Sequence, residues 1–225
     1  MNKILGTKAI PVSLGWNCHV ALFIQDLGDM EKTRYERHVF DWFGCHMWSI
    51  CELLENDFAD LTNRTMIIPR DRLEDKIWII LSHKKYDIRF LHEFKDNYKI
   101  TIAEWAEFES KYARRIQRFK ELCASKKPLL FFRLESEKYN RIQYPEFKKE
   151  ENEKYYVERF ADYMKEKGVP FQIIYFTTSF SKGFDKERNI IYVQFGKANP
   201  KVEIGADQMM DILKANLPFI RACLK

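Results

Sequence analysis

The chain has 225 residues, of which 46% are hydrophobic and 15% aromatic, so it can bury a substantial core. Its net charge of +5 is mild, because 38 basic residues are interleaved with 33 acidic ones. A dedicated nucleic-acid-binding protein concentrates its basic residues, so we expect no nucleic acid as a partner. No run of about 18 consecutive apolar residues is present, so we expect no membrane partner either.

The five cysteines form neither a CxxC pair nor a regular framework, which predicts reduced thiols in a cytoplasmic protein. Cys45 and Cys51 lack zinc-ligand spacing and no His-x-x-x-His motif accompanies them, so we expect no metal site. The N-terminal stretch lacks a long apolar core, and we expect no signal peptide. No glycine-rich phosphate or dinucleotide motif occurs, and we expect no cofactor.

The chain begins with a predicted strand, a tight turn and a helix. Residues 8–15 are predicted to form a buried strand, after which Gly15 allows the backbone to turn tightly. Asn17 is the expected N-cap of the helix, and Gly28 is the glycine expected to end it. A charged loop and an aromatic cluster with a single acid, Asp41, follow.

Apolar periodicity predicts the remaining elements. The predicted helices cover 48–56, 101–124, 155–167 and 206–224, and the predicted strands cover 65–68, 76–83, 86–94, 129–135, 171–179 and 189–196. The clearest helix start has a capping box of Thr101 and Glu104. A polar, Lys/Glu-rich segment at 136–154 is predicted to be a mobile excursion.

Strands that alternate with helices through short loops are typical of parallel βαβ units. Strands without polar alternation indicate a sheet that is covered on both faces. We therefore predict a single α/β domain, a three-layer sandwich around a mainly parallel sheet.

Cys18 is the first candidate for chemistry, because it falls on the first turn of the first predicted helix. The thiolate is the reactive form of cysteine, and a helix N-terminus favours that anion. Backbone N–H groups in the turn from Gly15 through Asn17 to Cys18 can also bind an anion or an oxyanion. The alternative is that Cys18 is a small buried apolar residue, which is common for free cysteines.

A nucleophilic cysteine usually needs a histidine that the fold brings close to it. His19 follows Cys18 on the same helix, so its side chain points about a quarter-turn away and it makes a poor base. His92 lies near the end of a predicted strand and is followed by Glu93. Asp41 could orient a histidine, receive an arginine or cap a helix.

Four arginines are candidates for binding an anion. Arg114, Arg115 and Arg118 crowd one stretch of the predicted helix 101–124, and Arg133 interrupts an apolar strand. A strand arginine suits phosphate or carboxylate recognition. The alternatives are a solvated helix face for the first three, and an ion pair with Glu135 or Asp41 for Arg133.

Three motifs together resemble a family of largely uncharacterised proteins identified as papain-like cysteine peptidases. They are Ser13-Leu14-Gly15-x-x-Cys18-x-Val20-Ala21, Phe40-Asp41-Trp42, and Phe90-x-His92-Glu93-Phe94 followed by Arg114-Arg115-Ile116-x-Arg118-Phe119 and Phe132-Arg133. The resemblance covers about residues 10–135 and implies Cys18 as nucleophile and His92 as its base. No motif identifies the third, orienting residue, for which Asp41 is the first candidate and Glu93 the second.

Three functions are therefore open. The first is a cysteine-nucleophile hydrolase or acyl transferase that acts on a peptide or acyl substrate. The second is a transferase for a nucleotide sugar or another phosphate-bearing small molecule, which would use the arginines and leave Cys18 structural. The third is a non-catalytic interaction protein with the same fold.

Overall fold

The computed structural model describes residues 4–32, 35–72, 78–95, 100–135, 152–196 and 204–224. The strands are β1 (Ile10–Ser13), β2 (Phe43–Gly44), β3 (Ile67–Arg72), β4 (Trp78–His83), β5 (Ile88–Lys95), β6 (Leu129–Leu134), β7 (Phe171–Thr177), β8 (Gly183–Asp185) and β9 (Ile190–Gln194). The helices are α1 (Cys18–Met30), α2 (Met47–Glu55), α3 (Ile102–Ala124), α4 (Glu153–Glu166) and α5 (Ala206–Cys223), and a short 3-10 helix covers Arg64–Met66. Within these ranges no helix has the length and apolar character that crossing a membrane requires.

Five strands form a mostly parallel sheet in the order β1-β6-β7-β9-β8, in which only β8 runs antiparallel to its neighbour. All six residues of β6 are buried, because its two faces belong to two different hydrophobic clusters. On one face Phe132 meets Phe23 of α1 edge to face, and on the other Phe131 meets Phe160 of α4. This two-sided burial explains why the central strands show no polar alternation.

The other four strands form a second sheet that is antiparallel throughout, in the order β2-β5-β4-β3. This sheet corrects the expectation of one mainly parallel sheet. Only four residues, 84–87, connect β4 to β5, whereas a parallel pair needs a crossover of about a dozen residues or more. The protein is therefore a mixed α/β structure, and the three-layer sandwich stays a prediction.

The predicted helix starts are confirmed. The Asn17 side chain caps α1, and Thr101 and Glu104 form the predicted capping box of α3. The predicted end of the first helix is wrong, because α1 continues through Gly28 to Met30. The left-handed conformation expected of a terminal glycine occurs instead at Lys32, whose φ is +56°.

Two further expectations need adjustment. Most of the excursion predicted at 136–154, residues 136–151, lies outside the described residues, but its last part is ordered: Asn152 caps α4 and Glu153 begins it. The predicted strands 171–179 and 189–196 correspond to β7 and β9, and the connection between them contains a further short strand, β8, which pairs with β9.

Candidate active site

Cys18 is the first residue of α1, directly after the turn that follows β1. The Asn17 side chain accepts a hydrogen bond from the backbone N–H of His19 at 2.9 Å, which fixes the start of the helix. Gly15 and Trp16 both have left-handed backbone, with φ of +68° and +96°. Such a conformation is strained for a bulky residue like Trp16, by about 1–3 kcal/mol, and this kind of strain clusters at functional sites. Cys18 is half-buried. It lies at a helix start that follows two consecutive residues with left-handed backbone.

The segment from Phe40 to Cys45 packs directly on this turn. A Cβ atom placed on Gly15 would lie 3.2 Å from the Phe40 carbonyl oxygen and 3.3 Å from the Cys45 sulfur. One placed on Gly44 would lie 3.7 Å from the Trp16 carbonyl oxygen. A side chain at Gly15 would therefore make unusually tight contacts with the Phe40–Cys45 segment, whereas one at Gly44 would make an ordinary contact with the turn before Cys18.

We expect Gly15→Ala to lower the free energy of unfolding by about 2 kcal/mol or more. Left-handed backbone costs a residue with a Cβ atom about 1–2 kcal/mol, and the close contacts with Phe40 and Cys45 add an overpacking penalty of similar size. Gly6→Ala is the matched control, because Gly6 also has a positive φ (+73°) but open space around its Cβ position. Urea unfolding of both variants measures the difference, and equal losses would contradict the packing contribution.

His92 contacts the same Phe40–Cys45 segment through Trp42. Its ring meets the Trp42 ring edge to face, with centroids 5.4 Å apart. Trp42 also has left-handed backbone, with φ of +67°, and the Arg37 guanidinium lies 5.4 Å from the centroid of its ring. The register of β5 against β4 shifts between Phe90 and Phe94, and such irregularities commonly re-aim side chains beside functional sites.

Arg89 is a neighbour of the Phe40–Cys45 segment that the sequence did not single out. It pairs with Gly44 across β5 and β2. A Cβ atom placed on Gly44 would lie 3.4 Å from the Arg89 Cβ atom, 3.5 Å from the Arg89 Nε atom and 3.7 Å from the Trp16 carbonyl oxygen. The Arg89 side chain and the Trp16 carbonyl oxygen are thus both neighbours of Gly44. No local motif marks Arg89, because its position depends on strand pairing.

Asp41 is fully buried. Its carboxylate accepts hydrogen bonds from the Tyr35 hydroxyl at 2.8 and 3.0 Å and from the His38 backbone N–H at 2.8 Å. Burial raises the pKa of this carboxyl to about 6, although these hydrogen bonds and the Arg115 charge oppose the rise. These contacts hold the loop before Trp42 in place, and a role for Asp41 as the third catalytic residue stays a prediction.

Glu93, the second candidate for that role, faces α3. It forms an ion pair with Lys111, accepts a hydrogen bond from the Tyr112 hydroxyl at 2.7 Å and lies 3.8 Å from the Arg115 guanidinium. His92 and Glu93 are neighbours in sequence, yet His92 contacts Trp42, whereas Glu93 pairs with basic side chains of α3.

The arginines of α3 each have different partners. Arg114 donates to the Ser110 hydroxyl at 2.6 Å on the exposed face, and Arg115 is buried near Glu93. Arg118 donates to the Arg37 carbonyl oxygen at 2.6 Å. As anion-binding residues these three stay predictions.

Arg133 is completely buried and forms an ion pair with Glu153, which corrects the expectation of Glu135 or Asp41 as its partner. It also donates to the carbonyl oxygens of Leu14 at 2.7 Å and Cys45 at 2.9 Å. Glu135 is engaged elsewhere and accepts hydrogen bonds at the end of β7, from Thr177 to Ser179. Arg133 therefore ties the turn before Cys18 to the Phe40–Cys45 segment and to α4, and its role in anion binding stays a prediction.

A cavity of about 460 Å³ lies between the second half of α1, strand β1 and the second half of α3. Tyr35, His38 and Arg118 line it, whereas Cys18 and His92 do not. In the described part of the chain no group of three or more His, Cys, Asp or Glu side chains is arranged to hold a metal ion.

The fold and this site define a mixed α/β protein. A cysteine lies at the start of a helix, and a histidine contacts the segment that packs beside that helix start. The chain belongs to the family described as "Putative papain-like cysteine peptidase (DUF1796)", whose model matches residues 10–179. It is also similar to the uncharacterized protein R408 of Acanthamoeba polyphaga mimivirus, with 30% identity over 137 residues, 54% of this chain and 60% of the viral protein. The chain thus spans less than two thirds of that relative's length. No solved structure matches it significantly.

Proposed function

We propose that this protein is a cysteine-nucleophile hydrolase or acyl transferase with a peptide or acyl substrate, in keeping with its papain-like cysteine peptidase family. The observation that carries the proposal is the Phe40–Cys45 segment. It packs on the turn that leads into Cys18, and its Trp42 contacts His92. One short segment thus links the proposed nucleophile to the proposed base.

In the proposed reaction the Cys18 thiol gives its proton to His92, and the sulfur attacks the carbonyl carbon of the substrate. Backbone N–H groups near residues 17–19 hold the negative charge that develops on the carbonyl oxygen. His92 then protonates the leaving group while the intermediate collapses to a thioester. Water, or a second nucleophile in a transferase, then gives a proton to His92 and attacks the thioester carbonyl. The bond between the acyl carbon and the Cys18 sulfur breaks, the acyl product leaves, and His92 returns its proton to the sulfur. The scheme needs neither a metal nor a cofactor.

The other four cysteines provide an internal comparison for Cys18. Burial raises the pKa of Cys45 and Cys123 to about 11 and that of Cys51 to about 12, and it also raises the pKa of Cys223. These four thiols are therefore poorly reactive near neutral pH.

We expect iodoacetamide at pH 7.5 to label Cys18 at least about tenfold faster than any other cysteine, with a rate that follows a pKa below the usual value of about 8.5. Mass spectrometry of peptides after timed labelling measures each site. Cys18→Ser should remove the fast phase, and Cys123→Ser, the matched control, should keep it. Slow and uniform labelling of all five thiols would contradict the proposal.

The family also suggests a direct test of catalysis. Cys18→Ala and His92→Ala should each abolish turnover of a peptide or thioester substrate while the melting temperature stays within a few degrees of the original. His83→Ala is unsuitable as a control, because His83 is buried and its Nε2 atom contacts the Asp60 carbonyl oxygen. His19→Gln is the better control, because His19 is only partly buried and a glutamine amide can replace the contact of its Nδ1 atom with the Ile204 carbonyl oxygen.

The alternative, a transferase for a nucleotide sugar or other phosphate-bearing ligand, needs anion-binding side chains at one place. The four arginines proposed for it have separate partners, so this function is our second choice. Millimolar nucleotides or nucleotide sugars should raise the melting temperature if it is right. An inert Cys18 together with no ligand stabilisation would instead favour a non-catalytic interaction protein.

Two properties accompany the proposal. All five cysteines are free thiols, which supports a reducing, cytoplasmic environment. The two-sided burial of β6 supports a three-layer arrangement around the five-stranded sheet within a single domain.

A further inference from the structure

A second cavity lies where the last turns of α2, α3 and α4 meet, and the proposed reaction does not use it. We call it the helix-end cavity. Its volume is about 420 Å³, within the range of about 300–1,000 Å³ that is usual for small-molecule sites. The cavity is therefore large enough to hold a small ligand.

The helix-end cavity lies away from the proposed nucleophile. Lys126 and Val169, which line it, come shortly before β6 and β7 begin. Cys18 instead follows the end of β1, and β1, β6 and β7 run parallel to one another. The starts and the ends of parallel strands lie at opposite edges of a sheet. A ligand in this cavity would therefore be bound apart from Cys18.

The wall of the helix-end cavity is largely apolar. Phe58 and Phe119 form part of it and meet edge to face, with ring centroids 6.1 Å apart. Leu54, Met164 and Val169 add aliphatic surface, and all five side chains are buried. Transfer of a hydrocarbon chain from water to such a surface is favourable in proportion to the apolar area that is covered.

Three lysines and one acid of the described residues also line this cavity. Lys120 forms an exposed ion pair with the acid, Asp57, at 2.5 Å. Lys126 donates to the carbonyl oxygens of Lys167 and Gly168 at 3.4 and 3.0 Å. Its charge thus balances the partial negative charge at the end of α4. These contacts account for two of the three lysines.

Lys167 is the third lysine, and its charge is not balanced by a described side chain. Its ammonium lies 5.3 Å from the centroid of the Tyr163 ring, which also lines the cavity. Within the described ranges no carboxylate forms an ion pair with it, and the exposed Glu166 beside it in sequence does not line the cavity. The apolar wall therefore has one available positive charge beside it.

We propose that the helix-end cavity binds an aliphatic carboxylic acid, with its chain against Phe58, Phe119 and Met164 and its carboxylate at Lys167. This site does not depend on the proposed function. An ammonium donates a stronger hydrogen bond to a carboxylate than to a neutral oxygen. The cavity has room for roughly a dozen groups the size of a water molecule, at about 30 Å³ each, so a chain of ten carbons fits.

Isothermal titration calorimetry with decanoate and decanol tests this proposal, because the two ligands share a chain and differ in the head group. Both are used below the concentrations at which they aggregate. We expect decanoate to bind at one site, about tenfold more tightly than decanol, because a charge-assisted hydrogen bond is worth about one power of ten in affinity. Lys167→Gln should remove this difference by weakening decanoate binding alone.

Lys165→Gln is the matched control. Lys165 is also an exposed lysine in the last turn of α4, but it does not line the cavity. This variant should keep the preference for decanoate. Equal affinities of the original protein for decanoate and decanol, or equal effects of Lys165→Gln and Lys167→Gln, would overturn the role of Lys167 in binding a carboxylate.

Two further measurements test whether the chain occupies the helix-end cavity. Ala124 is exposed and lines the cavity, so Ala124→Leu should fill part of the space and weaken the binding of both ligands several-fold. Cys123 lines it as well, and saturating decanoate should slow its labelling by N-ethylmaleimide while leaving that of Cys223 unchanged. No binding of decanoate, or binding that changes neither with Ala124→Leu nor the labelling of Cys123, would overturn the site.

Discussion

Replacing Arg133 by methionine is expected to lower the free energy of unfolding by about 3–5 kcal/mol, the usual cost of removing one partner from a buried ion pair. The Arg133 side chain is completely buried, and that of Glu153 is only 10% exposed. Methionine would leave the Glu153 carboxylate without its cation. It would also leave the carbonyl oxygens of Leu14 and Cys45 without their donor.

Urea unfolding followed by fluorescence measures this loss. Arg159→Met is the matched control, because the Arg159 ion pair with Glu55 is about one-third exposed on both sides and should contribute only about 0–1 kcal/mol. Combining Arg133→Met with Glu153→Leu should recover part of the loss, because no buried charge then remains unpaired. A loss below about 1 kcal/mol for Arg133→Met alone would show that the pair does not hold the Cys18 turn.

The second large effect is a pair of opposing pH-dependent contributions to the free energy of unfolding, from Asp41 and His38. Burial raises the pKa of Asp41 to about 6 and lowers that of His38, which is also near the Arg118 and Arg115 charges, to about 4. The folded protein thus favours protonated Asp41. The contribution of Asp41 to the free energy of unfolding is therefore complete below about pH 4 and is lost as the pH rises through 6. The folded protein also favours neutral His38. The contribution of His38 to the free energy of unfolding is therefore complete above about pH 6.5 and is lost as the pH falls through 4.

The two contributions oppose each other between about pH 4 and 6, and each is worth about 3 kcal/mol at most, from shifts of about two pKa units. We therefore expect the original protein to show little change in the free energy of unfolding across this window. Asp41→Asn should expose the His38 effect, with stability rising by up to about 3 kcal/mol from pH 4 to 6.5. His38→Leu should expose the opposite slope.

Urea unfolding at half-unit pH steps measures these slopes. Asp162→Asn, which changes an exposed carboxylate on α4, is the control and should keep the flat profile. If neither Asp41→Asn nor His38→Leu changes the slope, the two groups do not have the opposing pKa shifts inferred here.

The sequence predicted much of the local structure because local structure depends on residues a few positions apart. Capping residues and apolar spacing located the start of each described α-helix within about two residues. The caps Asn17 and Thr101 act on backbone N–H groups two or three residues away. The same local logic put Cys18 at a helix start. It failed at Gly28, because a glycine can end a helix but can also continue one.

The sequence by itself determined the helices, most of the strands, the family and the position of Cys18 at the start of α1. Only the tertiary structure decided that β2 to β5 form a separate antiparallel sheet, that Arg133 pairs with Glu153, and that the Phe40–Cys45 segment packs against the turn before Cys18. These are contacts between residues distant in the chain. Many charged side chains could pair with a buried arginine, and many strands could pair with a given strand. The packing of the whole chain selects which of them do.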